Sequence, residues 1–462
     1  MLSKLKALSP IDGRYNDHVY ELSEYFSEFA LMKSRVFIEV EWIKTLTNLN
    51  ELFNRSSLKP LSNQAKIFLQ NIYANFNETD AEHIKTIENK INHDVKSIEY
   101  FLKEKMSTNE ELNFYTEFVH FACTSDDINN LAYALLIKAA LKAVIIPALA
   151  NLVIILSHLA QNYANIAIIS RTHGQPATPT TMGKELANFA MRLNHQINNL
   201  KEIPIMGKFN GTVGNFSAHY AAFPEINWIS VCQNFVETLG LKWNLLTTQI
   251  EPHDYIAEIC HCLIHCNNII INLNRDIWGY IALNYFIQNP NQDEIGSSVM
   301  PHKVNPIDFE NAEGNLGIAN SLLEHFANKL IISRWQRDLT DSTVLRNFGV
   351  GFAHSLIAFK YTCNGLKKIT INKTLVTKEL DEHWEVLAEA IQTVMRSYGI
   401  NNSYEILKNL TRGKKITKET LEVFINELDI PAHAKDLLLA LTPSKYIGKS
   451  ASLTKYLSDI TL

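Results

Sequence analysis

Several short polar segments carry the residue types that proton transfer and anion binding need. The densest runs from Glu294 to Pro306 (EIGSSVMPHKVNP) and holds Ser297, Ser298, His302, Lys303 and Asn305. Gly296, Pro301 and Pro306 prevent it from continuing a helix, so it must be a loop well supplied with donors and cationic groups. His173 lies in Thr-His-Gly-Gln-Pro, where Gly174 and Pro176 keep it outside regular helix. Histidine is the side chain suited to exchanging a proton near neutral pH. Arg337, Ser342 and Arg346 form a third group, and arginine's forked guanidinium suits carboxylates and phosphates. Arg337 and Arg346 are nine positions apart with Ser342 between them, so no straight helix puts all three on one face and a break is implied.

Cys260, His261, Cys262, His265 and Cys266 have the types of a metal cluster but crowd onto one helix. Ligands on a single helix do not readily surround a tetrahedral zinc, and cysteine packs well as a small apolar group. No metal and no cofactor is expected. The lysines and arginine around Thr411–Lys415 read as a solvated surface.

The elements that position these residues are helical. Apolar residues recur at spacings of three and four over Glu21–Leu49, Asn63–Phe76, Ile128–Tyr163, Thr181–Lys201, Asp254–Phe286 and Phe309–Ile332. Glycine (17) and proline (13) are few and collect between these segments. No alternating run is long enough to seed a sheet, with a short hairpin near Lys208–Asn215 the one exception allowed. Helices of this length pack in bundles and often bury surplus apolar surface against other subunits. A polar break at Met106–Glu111 and a Lys/Thr-rich transition at Lys367–Glu379 predict an N-terminal helical domain (1–112), a central long-helix bundle (113–366) and a small C-terminal helical domain (367–462).

At 462 residues, 46% apolar and 20% charged, the chain exceeds one core and is not broadly disordered. A net charge of −5 gives no basic field for nucleic acid, although clustered arginines can still hold an anionic ligand. The N-terminal residues lack the apolar core of a signal peptide. The most apolar stretch, Ala143–Leu156, contains Pro147 and Asn151 and is shorter than the roughly 20 residues of a membrane span. Six sparse cysteines do not form a disulfide framework, so a cytoplasmic setting is expected.

GSSVMPHKVNP resembles the signature loop of the fumarase/aspartase superfamily, whose members eliminate fumarate from succinyl compounds. Four further segments, KTIENKINHDVK (85–96), FACTSDDINN (121–130), SRTHGQPA (170–177) and RDLTDSTVLR (337–346), resemble the adenylosuccinate lyase family. The likeness runs from SPIDGRY (9–15) to about Gly448. It implies an all-α, three-domain fold whose central bundle tetramerises, with active sites shared between subunits.

It also implies the reactions: fumarate is released from adenylosuccinate to give AMP, and from SAICAR to give AICAR. Such an elimination needs a base, an acid for the departing nitrogen and groups to bear charge building on a carboxylate. By resemblance His173 is the general acid, Glu310 pairs with it to favour the imidazolium, and Ser297 is the general base. A serine hydroxyl is a very weak acid; loop N–H groups and Lys303 would stabilise its alkoxide once the loop excludes water. Chemistry alone does not separate Ser297 from its neighbour Ser298, and His93 is the second candidate for proton transfer.

The same resemblance assigns Arg14, Tyr15, Arg337, Ser342 and Arg346 to the nucleotide phosphate, and Asn92, His93 and Asp94 to the substrate. Thr124, Ser125, Lys303 and Asn305 would hold the succinyl carboxylates, with Gln249 at the succinyl or base portion. Argininosuccinate lyase, fumarase and aspartase share the loop but are not expected to combine these segments. A structural protein on the same fold and a nucleotide-binding regulator that releases no fumarate are the readings from other classes.

Overall fold

Apolar periodicity sets the helices of this chain, and polar caps set where they stop. The computed structural model describes residues 4–54, 59–289, 299, 300, 302–411 and 416–460. The expected segments appear as helices at Asn63–Ala74, Met182–Glu202, Asp254–Ala282 and Ile307–Leu330. Glu21–Leu49 is not one helix. It breaks at Ser27, which sits in extended conformation and accepts the Ala30 N–H on its hydroxyl (3.1 Å), so the long helix starts at Glu28 and ends at Leu46. The Ser125–Ala140 helix passes through a π-helical turn at Leu141–Ile145 into Ile146–Asn162. Pro147, which has no N–H to donate, is the second residue after that turn.

Two compact units emerge. One comprises Met1–Ala148, Asn198–Asn267 and Asn315–Ile357. Its N-terminal core packs Met32, Val36, Val40 and Ile43 against Leu69, Ile84, Ile98, Phe101 and Leu102. Side chains of this size each contribute about 1.5–3 kcal/mol when fully buried. Below that core Lys208 and Asp127 form an ion pair at 2.8 Å with both side chains 0% exposed. Asp127 also accepts the Asn210 (3.0 Å) and Gly211 (3.1 Å) N–H groups, so the buried charge has the partners it needs.

The other unit comprises Leu149–Ile197, Asn268–Gly314 and Ala358–Leu462. Its C-terminal part buries Leu387, Ile391, Met395, Leu421, Ile425 and Leu438 in a core of its own. It also contains a hairpin the sequence reading did not foresee, Ala167–Thr172 antiparallel to Gln175–Thr181. Prolines and hydroxyl residues hide its alternation, and its inner face is carried by Ile169, which packs on Leu380 and Val386. Near Lys208–Asn215, where a hairpin was allowed, only Met206–Gly207 pairs, and it does so in parallel with Lys242–Trp243. The following loop is tied down by Asp127 instead.

Among the described residues two helical runs, Ser125–Asn162 and Asp254–Ala282, are long and apolar enough to cross a membrane by length and composition, which Ala143–Leu156 read alone did not suggest. Of the most apolar window of the second, 61% is buried inside the chain, as in the core helix of a bundle.

Candidate active site

The first unit gathers much of the expected anion-binding set. Asn92 ends the Glu78–Ile91 helix in left-handed conformation (φ 52°), and His93 begins the next, Asp94–Ser107, by accepting the Lys96 N–H on Nδ1 at 3.1 Å. With Nδ1 occupied as an acceptor, Nε2 is the protonated nitrogen of neutral His93, and its half-exposed ring can present that proton. Asp94 accepts from buried Arg35 at 2.7 Å and from Arg346 at 3.0 Å. Burial opposes ionisation of Asp94, but Arg35, the Val95 N–H and Arg346 outweigh it and hold the carboxyl below its ordinary range.

Around the start of the Ser125–Ala140 helix a second group forms. The Thr124 N–H donates to Asp127 Oδ2 at 2.8 Å and the Asp127 N–H donates back to the Thr124 carbonyl at 3.0 Å, a reciprocal pair that fixes the start of the helix. Arg337 donates to Gln249 Oε1 at 3.2 Å, and Gln249 Nε2 donates to the Thr212 carbonyl at 2.9 Å. As the spacing implied, the chain is broken between the arginines: Thr340–Leu345 is a short helix, with Arg337 before it and Arg346 at its end. Ser342 lies within that helix, its N–H on Asp341 Oδ1. Arg14 is exposed in the turns near the N-terminus, its guanidinium 6.0 Å from the Tyr15 ring centroid.

Four residues the sequence reading missed lie beside Arg337: Asp126, Glu251, His253 and Asp341, all buried. They come from distant segments, and the signals were local: Asp126 adjoins Ser125, Asp341 adjoins Ser342, and Glu251 and His253 lie close to Gln249. Burial lifts Asp126 to about 6 against the pull of Lys208, His253 and Arg337. His253 is lowered by burial, yet Asp341, Glu251 and Asp126 raise it to about 9.

The second unit holds the proposed acid. His173 and Gly174 form the two-residue turn of the hairpin with φ values of 53° and 74°, the left-handed pair a tight hairpin of this twist requires. A non-glycine residue there carries strain, and its side chain stands exposed at the tip. The hairpin is clamped behind the turn, where Arg171 pairs with Glu379, which also accepts the Tyr285 hydroxyl. Glu310, in the first turn of Ile307–Leu330, accepts from Trp278 Nε1 at 3.1 Å. Among the described residues no hydrogen bond joins it to His173. Lys303 is exposed, its N–H on the Met300 carbonyl at 3.0 Å, and Gln288 anchors the adjacent Val304 carbonyl. Asn305 is partly buried beside them. Ser297 and Ser298, with most of the signature loop, lie outside the described residues.

On the Asp254–Ala282 helix Cys260, Cys262 and Cys266 face inward and are buried, while His261 and His265 are exposed. The cysteines act there as small apolar side chains. No group of three or more potential metal ligands converges among the described residues.

The fold is that of the fumarate lyases. A fumarate lyase from a Mesorhizobium species matches with a TM-score of 0.76 over 95% of this chain and 97% of its own, at 17% identity. The 3-carboxy-cis,cis-muconate lactonizing enzyme of Pseudomonas putida matches with 0.72 over 96% and 98%, at 18% identity. The Lyase family model matches residues 13–319, and the adenylosuccinate lyase C-terminal model matches 333–447. The adenylosuccinate lyase of Haemophilus influenzae is 54% identical over 457 residues, covering 99% of this chain and 100% of that protein. That of Escherichia coli K12 is 52% identical over 452 residues, covering 98% of each. The chain belongs to the adenylosuccinate lyase family.

Proposed function

We propose that this lyase eliminates fumarate from adenylosuccinate, leaving AMP, and from SAICAR, leaving AICAR. The base removes the proton from the carbon next to one succinyl carboxylate. The electron pair of that C–H bond becomes the new carbon–carbon double bond, and the neighbouring C–N bond breaks. The departing nitrogen takes a proton from the general acid. His173 is the acid and Ser297 the base, with Glu310 favouring the imidazolium and Lys303 stabilising the alkoxide.

Asn92, His93 and Asp94 flank the substrate, and Arg14, Tyr15, Arg337, Ser342 and Arg346 take the phosphate. Thr124, Ser125 and Asn305 hold the carboxylates and Gln249 the succinyl or base portion. The observation that carries this reading is the His173–Gly174 turn: a strained, exposed histidine on a hairpin braced by the Arg171–Glu379 pair. Strain of this kind persists where a side chain must be aimed.

The active enzyme is a cytoplasmic homotetramer of three-domain chains, divided near residues 112 and 366, with each site assembled from more than one subunit. Ile154, Met191, Trp278 and Ile318 are apolar, exposed and carried on long helices, the kind of surface other subunits cover. Purified protein should release fumarate, followed by its ultraviolet absorbance, from both substrates. AMP binding with no fumarate from either would leave the regulator reading in place.

A further inference from the structure

One buried side chain has no part in that chemistry although it lies against the residues proposed to hold the substrate. His253 is 2% exposed and stands at φ 64° just before the Asp254–Ala282 helix. A β-carbon is strained in that conformation, so something must hold it there. Its N–H donates to Glu251 Oε2 at 2.7 Å, and the Glu251 N–H donates to Asp126 Oδ2 at 3.3 Å. Among the described residues neither ring nitrogen has a hydrogen-bond partner. Both instead face carboxylates at ion-pair range: Nδ1 is 3.6 Å from Glu251 Oε2, and Nε2 is 3.9 Å from Asp341 Oδ2.

Asp341 therefore lies between two cations. Its Oδ2 faces His253 and its Oδ1 is 4.0 Å from the Arg337 guanidinium. Arg337 donates a hydrogen bond to Gln249 Oε1 at 3.2 Å while its charge faces that carboxylate. The other charged groups are Asp126, Glu251 and the Lys208–Asp127 pair one helical position away. Counting the Lys208–Asp127 pair, four buried carboxylates then share three cations, and removing the charge on His253 would draw Arg337 toward Asp341. Attraction between buried charges is strong enough to re-aim a flexible arginine side chain.

We infer that His253 is a positioning residue: as an imidazolium it engages Asp341 and so leaves Arg337 and Gln249 free to meet the anionic substrate. This rests on the proposed roles of Arg337 and Gln249. The high proton affinity of the ring keeps it charged through neutral pH and lets that charge go as pH passes about 9.

The test combines His253→Gln, Asp341→Asn and the double variant, reading the KM for adenylosuccinate and, by calorimetry, the Kd for AMP. His253→Gln should raise both by about tenfold with kcat changed far less. The double variant should recover most of the loss, because no carboxylate remains to seize Arg337. A merely structural histidine would give additive damage instead, and that result would overturn the inference. Wild-type KM should rise above pH about 9, while Asp341→Asn, which keeps every cation, should stay flat. Should His253→Gln fail to fold, that pair of profiles decides, and identical alkaline limbs would reject the idea. An inactive wild type would reject the proposed reaction, yet the AMP affinities would still report on His253.

Discussion

Arg346 donates to the Asp94 carboxylate at 3.0 Å across 252 positions of sequence. The bond joins a helix start near the N-terminus to the end of the short Thr340–Leu345 helix, and Arg35 braces the same carboxylate from inside.

Asp94→Asn should therefore cost stability as well as substrate affinity. It leaves the buried Arg35 without its anion, a loss of about 2 kcal/mol in urea unfolding. Because the folded carboxyl is held below its ordinary value of 3.8, its contribution is complete above that value and fades as pH falls through the folded one. The variant should lack that acid dependence. Equal stability at pH 7 would mean that the Arg35 pair contributes nothing.

His173→Asn separates conformation from chemistry. Asparagine tolerates the left-handed turn, so circular dichroism and melting temperature should stay near wild type. Loss of the proton donor should lower kcat by about 10²–10⁴-fold. A variant retaining normal turnover would remove His173 from the role of acid.

Gly214→Ala should disturb Gln249 from behind. Gly214 has φ 76°, and a β-carbon there would lie 2.4 Å from the Thr247 carbonyl oxygen, two residues before the glutamine. The backbone of the Thr247–Gln249 segment must shift. A loss of about 1–3 kcal/mol in stability and a several-fold higher KM are expected in unfolding and kinetic measurements. An unchanged KM would show that the loop absorbs the displacement without moving Gln249.

His219 predicts a different pH dependence. It is buried against Trp42, Phe216 and Trp228, and burial lowers it to about 4, with Asp127 and Lys208 acting in opposite directions. The unfolded chain then binds the extra proton below about pH 6.5, so this contribution is whole above that pH and is lost as pH falls toward 4. His219→Phe keeps the aromatic packing and removes the titration. Against wild type it should gain roughly 2 kcal/mol between pH 7 and pH 5 in denaturant melts. Parallel pH slopes in the two proteins would refute the assignment.

Helix periodicity made most of the architecture legible, and the spacing of Arg337, Ser342 and Arg346 announced the break between them. The Ala167–Thr181 hairpin was not legible, because Pro176, Pro179 and the hydroxyl residues carry no alternating pattern and its burial depends on Leu380 and Val386 far along the chain. The break at Ser27 depends on one capping bond that periodicity does not register. The buried group around His253 draws Asp126, Glu251 and Asp341 from three separate segments, so only folding reveals their shared charge balance. His173 was legible as non-helical, but its strained turn was not.

The occluded Lys208 also gives the fold a built-in reporter. Its amine is sealed against Asp127, so an acylating reagent that marks the surface lysines cannot reach it without prying the Lys208–Gly211 loop away from the Ser125–Ala140 helix. The rate at which mass spectrometry finds that one amine labelled, followed over mild denaturant, would time large-scale opening of this unit against the fraying of its exposed ends, with no engineered probe.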